Sequence, residues 1–275
     1  MNERIEWTRH PDGVVELTLA RADKMNALDP AMFDALIAAG GQLRGDPDVR
    51  AVVISGRGKA FCAGLDMQSF ERMGQGAGAD VLGDGAAGAD LLARTHGLAN
   101  AAQQVALVWR DVPVPVIAAV HGVAFGGGLQ VALGADVRIV APDTRLSVME
   151  IKWGLVPDMA GMVLMRELAR TDVVRELTFT GRIFSGEEAF RIGFATQLST
   201  QPLADALQMA HAIAGKSPDA IRAAKRLLNG ALSGSAAEVL MAESIEQKAL
   251  IGSANQTEAV RANMEKRAPR FAASR

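Results

Sequence analysis

The sequence predicts an α/β fold, a core of parallel strands connected through helices, followed by an all-helical C-terminal third. Three observations carry that expectation. The first half reads hairpin, helix, strand, loop, helix, strand, loop, helix, an alternation that belongs to parallel strands with right-handed crossovers. The strand candidates, such as VPVIAAV at 114–120, are short and apolar throughout, as strands covered on both faces are. Past residue 150 helical stripes succeed one another with no strand signal between them.

Residues 3–9 and 14–20 (VVELTLA) form two strands around the turn residues HPDG, a hairpin. RADKMNALD is a polar loop, and Pro30 opens the helix AMFDALIAAGGQLRG. DVRAVVISG (48–56) is a buried strand, and GRGKAFCAGLD (56–66) a glycine-punctuated loop after it. The Gly/Ala-rich stretch 74–90 reads as a loop or weak helix, and a helix reaching Arg110 leads to strand 114–120. That strand breaks at Gly122, three glycines follow at 126–128, and LQVALGAD then carries helical spacing. Strand, bare backbone and helix start together leave unpaired N–H groups at the positive end of a helix dipole. Glycine there admits a carbonyl or phosphate oxygen close to the main chain.

Downstream, Ser185-Gly-Glu-Glu188 is a capping-box pattern and Ser217-Pro218 places proline at a first helical position. Helices are expected near 186–192, 203–214, 218–232, 236–250 and 255–267. The chain therefore divides into an α/β core over 1–200 and a helical region for self-association over 201–275, with no repeat of 20–50 residues.

At 275 residues, with 49% hydrophobic residues and a net charge of −2, this is an ordinary globular composition, and no basic excess argues for nucleic acid. The single cysteine, Cys62, rules out a disulfide framework and points to a reducing compartment. No signal core and no apolar run long enough for a membrane span are present, so the cytoplasm is expected. GDGAAG (83–88) matches a dinucleotide template but follows no strand. HGVAFGGG is similar to the oxyanion loop of α/β hydrolases, yet no G-x-S-x-G exists. His10, His96, His121 and His211 are scattered without ligand spacing, so no metal is expected, and Cys62 reads as a packed thiol. What remains is AFCAGLD (60–66) and AFGGGLQ (124–130), two glycine-bearing loops each directly after a buried strand. They are either plain turns or a pair that contributes one N–H each to an oxyanion hole.

Taken together, RADKMNALD, GRGKAFCAGLDM, AAVHGVAFGGGLQVALGADVRIV, MEIKWGLVPDMAG and FTGRIFSGEEAFRIGF resemble the crotonase (enoyl-CoA hydratase/isomerase) superfamily over nearly the whole chain. That resemblance implies a spiral of β-β-α units with a C-terminal helical trimerisation region, hence a homotrimer or dimer of trimers. It implies an acyl-CoA thioester as substrate, coenzyme A being part of that substrate, with no separate cofactor. It places the oxyanion donors on the backbone N–H of Leu65 and Gly127, leaving the Leu65 side chain nearly free to vary. Coenzyme A contacts fall near Met25, Ala27, Ala63, Asp66 and Met67, and Lys266 matches a position that reaches the coenzyme phosphates; its alternative is a solvated helix face.

The same resemblance sets the acid/base groups. Hydratases of the family carry two glutamates, at the positions of Gln130 and Glu150; an amide holds water but takes no proton. Asp158 stands where dienoyl-CoA isomerases carry aspartate, and simple enoyl-CoA isomerases manage with one glutamate at the position of Glu150. Glu150 is then the proton shuttle and Asp158 its assistant, its pKa raised near apolar Trp153, Leu155 and Met159. The alternative for Asp158 is an N-cap on a helix starting near Ala160. The expected activity is a double-bond shift in an enoyl- or dienoyl-CoA. Its rivals are hydration of a 2-enoyl-CoA, RNA binding, disfavoured by one arginine (Arg44) on the helix after Pro30, and a silent thioester binder.

Overall fold

In the computed structural model, which describes residues 3–75 and 90–273, the hairpin opens the larger of two sheets. Strand β1 (Ile5–Arg9) pairs antiparallel with β2 (Val14–Leu19), Ile5 opposite Leu19. Helix α1 (Pro30–Gly45) follows, its first turn capped by Asp29, whose carboxylate accepts from Met32 N at 2.9 Å. The chain continues through β3 (Ala51–Gly56), α2 (Met67–Gly74), α3 (Ala101–Asp111) and β4 (Val116–Val120). Next come β5 (Val123–Phe125), α4 (Gly127–Leu133), β6 (Val137–Val140) and β7 (Arg145–Ser147). After a 3-10 turn at Glu150–Trp153 the chain forms α5 (Gly161–Leu168), α6 (Thr171–Thr180), β8 (Phe184–Ser185), α7 (Gly186–Ile192) and β9 (Gln197–Leu198). Helices α8 (Pro202–Ala214), α9 (Pro218–Ala231), α10 (Ala236–Leu250) and α11 (Ala254–Met264) end it.

The six-stranded sheet runs β1-β2-β3-β4-β6-β9, and every pairing after the hairpin is parallel. Successive side chains leave a strand on opposite faces, so alternate residues enter different cores. Val52 and Ile54 of β3, with Val116 and Ala118 of β4, join the core beneath α1, α3 and α4. Ala51, Val53, Ile117 and Ala119 face the other way, onto Ala206 and Ala210 of α8. Burial on both faces is why these strands are apolar throughout. Helix α8 thus lies on the sheet, although the sequence groups it with the helical tail.

Two expectations for the C-terminal half are corrected. Strands are present there: β9 extends the main sheet beside β6, and β8 pairs with β7 in a second sheet, β5-β7-β8. Each has two residues, too few for any periodicity to register. The capping pattern at 185–188 is half formed. Ser185 Oγ accepts from Glu188 N at 3.1 Å, but the Glu188 carboxylate turns to Arg182. Proline at the first turn of α9 stands as expected.

Helix α9 is bolted to the sheet by a buried charge. Lys225, 5% exposed, donates to Trp109 O, Val114 O and Asp136 Oδ2, at 2.9, 2.9 and 2.6 Å. Asp136→Ala strands that ammonium, and the expected cost is about 3–5 kcal/mol, read as a lower urea midpoint at unchanged m-value.

Candidate active site

The loop after β3 is stitched to its neighbours on both sides. Cys62 N donates to Val123 O and Phe125 N to Cys62 O, each at 3.1 Å, while Ala63 N donates to Met25 O at 2.9 Å. Leu28 N bonds Gly64 O at 2.8 Å and Asp66 N bonds Leu28 O at 3.0 Å. The N–H of Leu65, between them, points away from this ladder and has no acceptor among the described residues. The N–H of Gly127 is equally free, because it opens α4 and no carbonyl precedes it in the helix.

Glycine makes this approach possible. Gly64 has φ +90°, and a Cβ there would lie 2.6 Å from Phe125 O and 3.7 Å from Gly127 N. The two loops therefore meet at the two free N–H groups. All seven residues of α4 are buried, so the helix holding one of them has little room to shift. The Leu65 side chain packs against the main core, so packing restricts it even where chemistry does not.

Glu150 opens the 3-10 turn and stands against the same glycines, its Oε1 3.2 Å from where a Cβ on Gly126 would lie. Gln130 Nε2 donates to that Oε1 at 2.6 Å, whereas Oε2 is buried without a partner among the described residues. Burial pushes the Glu150 carboxyl up from its ordinary value, and the charge of Asp158 pushes it further, against the Gln130 hydrogen bond. Asp158 opens onto the cleft, and the protein around it raises its carboxyl too. It caps no helix. The residue before α5 is Ala160, in the left-handed conformation with no side-chain cap.

Gln130, expected as a water-holding amide, is engaged by the protein at both ends of its side chain. Its Oε1 accepts from Met159 N at 2.9 Å and from Gly161 N at 2.8 Å, and its Nε2 serves Glu150. Both lone pairs of the oxygen are thus taken by main chain, with no local signal for it in the sequence.

Leu65, Gly127, Gln130, Glu150 and Asp158 line one cavity of about 1260 Å³. Met25, Ala27, Ala63, Asp66 and Met67 line it too, whereas Lys266, exposed past the end of α11, does not. The Asp66 carboxylate is occupied, capping α2 through Gln68 N at 2.8 Å and pairing with Arg21 at 2.5 Å, which holds it below the usual range. Sequence reading did not foresee the stacking of Phe70 of α2 on Trp153 at 4.1 Å, which gives the cavity an aromatic wall. The one hint was a tryptophan in the polar-flanked IKWG segment.

Among the features set aside, the cysteine and the histidines are described by the structure. Cys62 is fully buried, its thiol donating to Asn26 O and pushed up to about 12. His10 and His211 are not scattered: their rings meet edge to face at 4.9 Å, and His211 bonds Asp12 at 2.6 Å. No group of three or more His, Cys, Asp or Glu able to hold a metal occurs among the described residues. No helix among them is long and apolar enough to cross a membrane. GDGAAG (83–88) lies outside the described residues.

Residues 9–274 match the family model of enoyl-CoA hydratase/isomerase. The chain belongs to that family. It is 32% identical over 257 residues to the probable enoyl-CoA hydratase of Mycobacterium tuberculosis (strain CDC 1551 / Oshkosh), covering 93% of each chain. It is 34% identical over 230 residues to the carnitinyl-CoA dehydratase of Salmonella typhi, covering 82% of this chain and 80% of that one. The crystal structure of an enoyl-CoA hydratase from Polaromonas sp. JS666 superposes with a TM-score of 0.85 at 27% identity, covering 98% and 99% of the two chains. The fold is accordingly crotonase-like, and this enzyme family acts on acyl-CoA thioesters.

Proposed function

We propose that this member shifts a double bond in an enoyl- or dienoyl-CoA, with Glu150 as the proton shuttle. The thioester oxygen is held by the N–H groups of Leu65 and Gly127. Glu150 removes a proton from the α- or γ-carbon, and the electron pair delocalises onto that oxygen as an enolate. The proton then returns at the far end of the allylic system, with Asp158 assisting on the other side of the acyl chain. Two pre-aimed donors suit this step, since one such donor is worth about 3–4 kcal/mol in the transition state.

The observation that carries the reading is the engagement of Gln130. With both lone pairs of Oε1 taken by Met159 N and Gly161 N, only the second N–H of Nε2 is left to hold a water, and no acceptor on Gln130 is left to orient one for attack. Glu150 is then the carboxylate beside the donors. A second reading, hydration, draws support from relatives named hydratase and dehydratase and from Asp158 as an alternative second carboxylate. No redox partner is needed in either case, because the carbon skeleton changes no oxidation level overall; coenzyme A is part of the substrate. The tail is read as a homotrimer or dimer-of-trimers surface. In support, α10 buries none of its residues and exposes Leu240, Met241 and Ile245. A single cysteine, free and buried, fits a cytoplasmic setting.

The test supplies a 3-enoyl-CoA and a 2-enoyl-CoA separately. Isomerisation raises the conjugated thioester absorbance with the first, whereas hydration lowers it with the second. The pH profile carries a further expectation. The base acts ionised and its pKa is raised, so activity falls away on acidification at a pH above the ordinary carboxylate range.

A further inference from the structure

We infer that Gln130 is a positioning residue, clamping the base Glu150 and the turn that carries Asp158 onto the helix that supplies one free N–H. The inference rests on the proton-transfer reading above. One amide makes all three connections: Nε2 to Glu150 at 2.6 Å, Oε1 to Met159 N at 2.9 Å and to Gly161 N at 2.8 Å. These contacts span twenty to thirty-one residues of sequence, so they join segments that nothing local holds together.

The clamp is fitted to its partners. Between the two N–H donors lies Ala160 at φ +65°, a left-handed conformation unfavourable for a residue with a Cβ. The shared oxygen holds that turn in place. A Cβ on Gly161 would lie 2.5 Å from Gln130 Oε1, so glycine is what admits the amide to the turn. Gln130 itself is 3% exposed, on a helix buried along its length, and has no alternative partner in water. Burial, chiefly, and the charge of Asp158 disfavour the ionised base, whereas the amide donor on Glu150 Oε1 favours it. The other charged groups lining the cavity are Asp66 and Glu71 at α2, Asp23 and Lys24 before α1, and Arg145 and Lys152 near the base.

Three variants and two readouts test this. The readouts are kcat with its pH profile, and exchange of the α-protons of a saturated acyl-CoA into D2O, which needs the base and the two N–H groups but no double-bond shift. Gln130→Leu and Gly161→Ala are expected to lower both rates about 10²-fold with little change in KM, as a misplaced base does. Gln130→Glu retains an acceptor for the 159–161 turn, so it folds even where Gln130→Leu does not. It sets two carboxyl oxygens 2.6 Å apart in place of an N–H donor; the pair then shares a proton, and the acid limb moves to higher pH. An unmoved acid limb in Gln130→Glu, or full exchange in Gln130→Leu, overturns the inference. Wild-type enzyme that exchanges deuterium but moves no double bond overturns only the isomerase reading, and the variants then judge the clamp by exchange. A wild type that exchanges nothing overturns both.

Discussion

Glu150→Gln is expected to lower kcat by about 10²–10⁴-fold, the range that a positioned acid/base group supplies, while KM stays near its wild-type value. The substitution keeps the shape of the side chain and an oxygen for Gln130 to bond, yet an amide takes no proton from carbon. Steady-state kinetics on the 3-enoyl-CoA measure it; retained turnover would move the base to Asp158. The same variant is expected to melt at a higher temperature near neutral pH. A carboxyl whose folded pKa is raised contributes stability below its unfolded pKa, and that contribution is lost as pH rises through the folded value. Burial raises Glu150 in this way, so its ionised form at neutral pH is a cost that the amide removes. Thermal melts of both proteins at acid and neutral pH give the sign, the gap closing on the acid side.

Gly128→Ala is expected to damage activity and fold together. A Cβ at that position falls 2.3 Å from Cys62 O and 2.8 Å from the Cys62 Cβ and Sγ. Main chain is on both sides of the clash, so no rotamer relieves it. Helix α4 and the 61–66 loop must separate, and with them the N–H groups of Gly127 and Leu65. Overpacking of this kind costs about 1–3 kcal/mol, and loss of one oxyanion donor about 10²–10³-fold in kcat. Denaturant unfolding and kcat read the two effects. A destabilised enzyme with unchanged kcat would show that the spacing of the donors does not matter to the chemistry.

Legibility of the fold followed element length and the reach of each contact. The hairpin, the strands at 48–56 and 114–120, and the proline start of α9 were readable because alternation, apolar runs and caps are written within a few adjacent residues. The Asn100–Gln103 capping box of α3 and helix α6 (Thr171–Thr180) went unread. The box sits beside a Gly/Ala-rich stretch that obscured where the helix starts, and α6 buries only Val174 and Leu177, too sparse a stripe to stand out. Of the residues expected at the site, all but Lys266 line one cavity. The two post-strand glycine loops pointed only to where such a site would lie; the individual residues came from the resemblance to the crotonase superfamily.

By itself, then, the sequence determined the α/β class and the two post-strand glycine loops, since each rests on local backbone preference, while its resemblance to the crotonase superfamily singled out the carboxylates at 150 and 158. Only the tertiary structure decided what each group does there. It placed Asp158 in the cavity wall and not at a helix cap, brought His10 against His211, and committed the Gln130 amide to three partners far along the chain. The physical reason is that hydrogen-bond capacity is finite. A side chain's chemistry is fixed by its type, but which of its lone pairs and protons remain available depends on neighbours that only packing supplies.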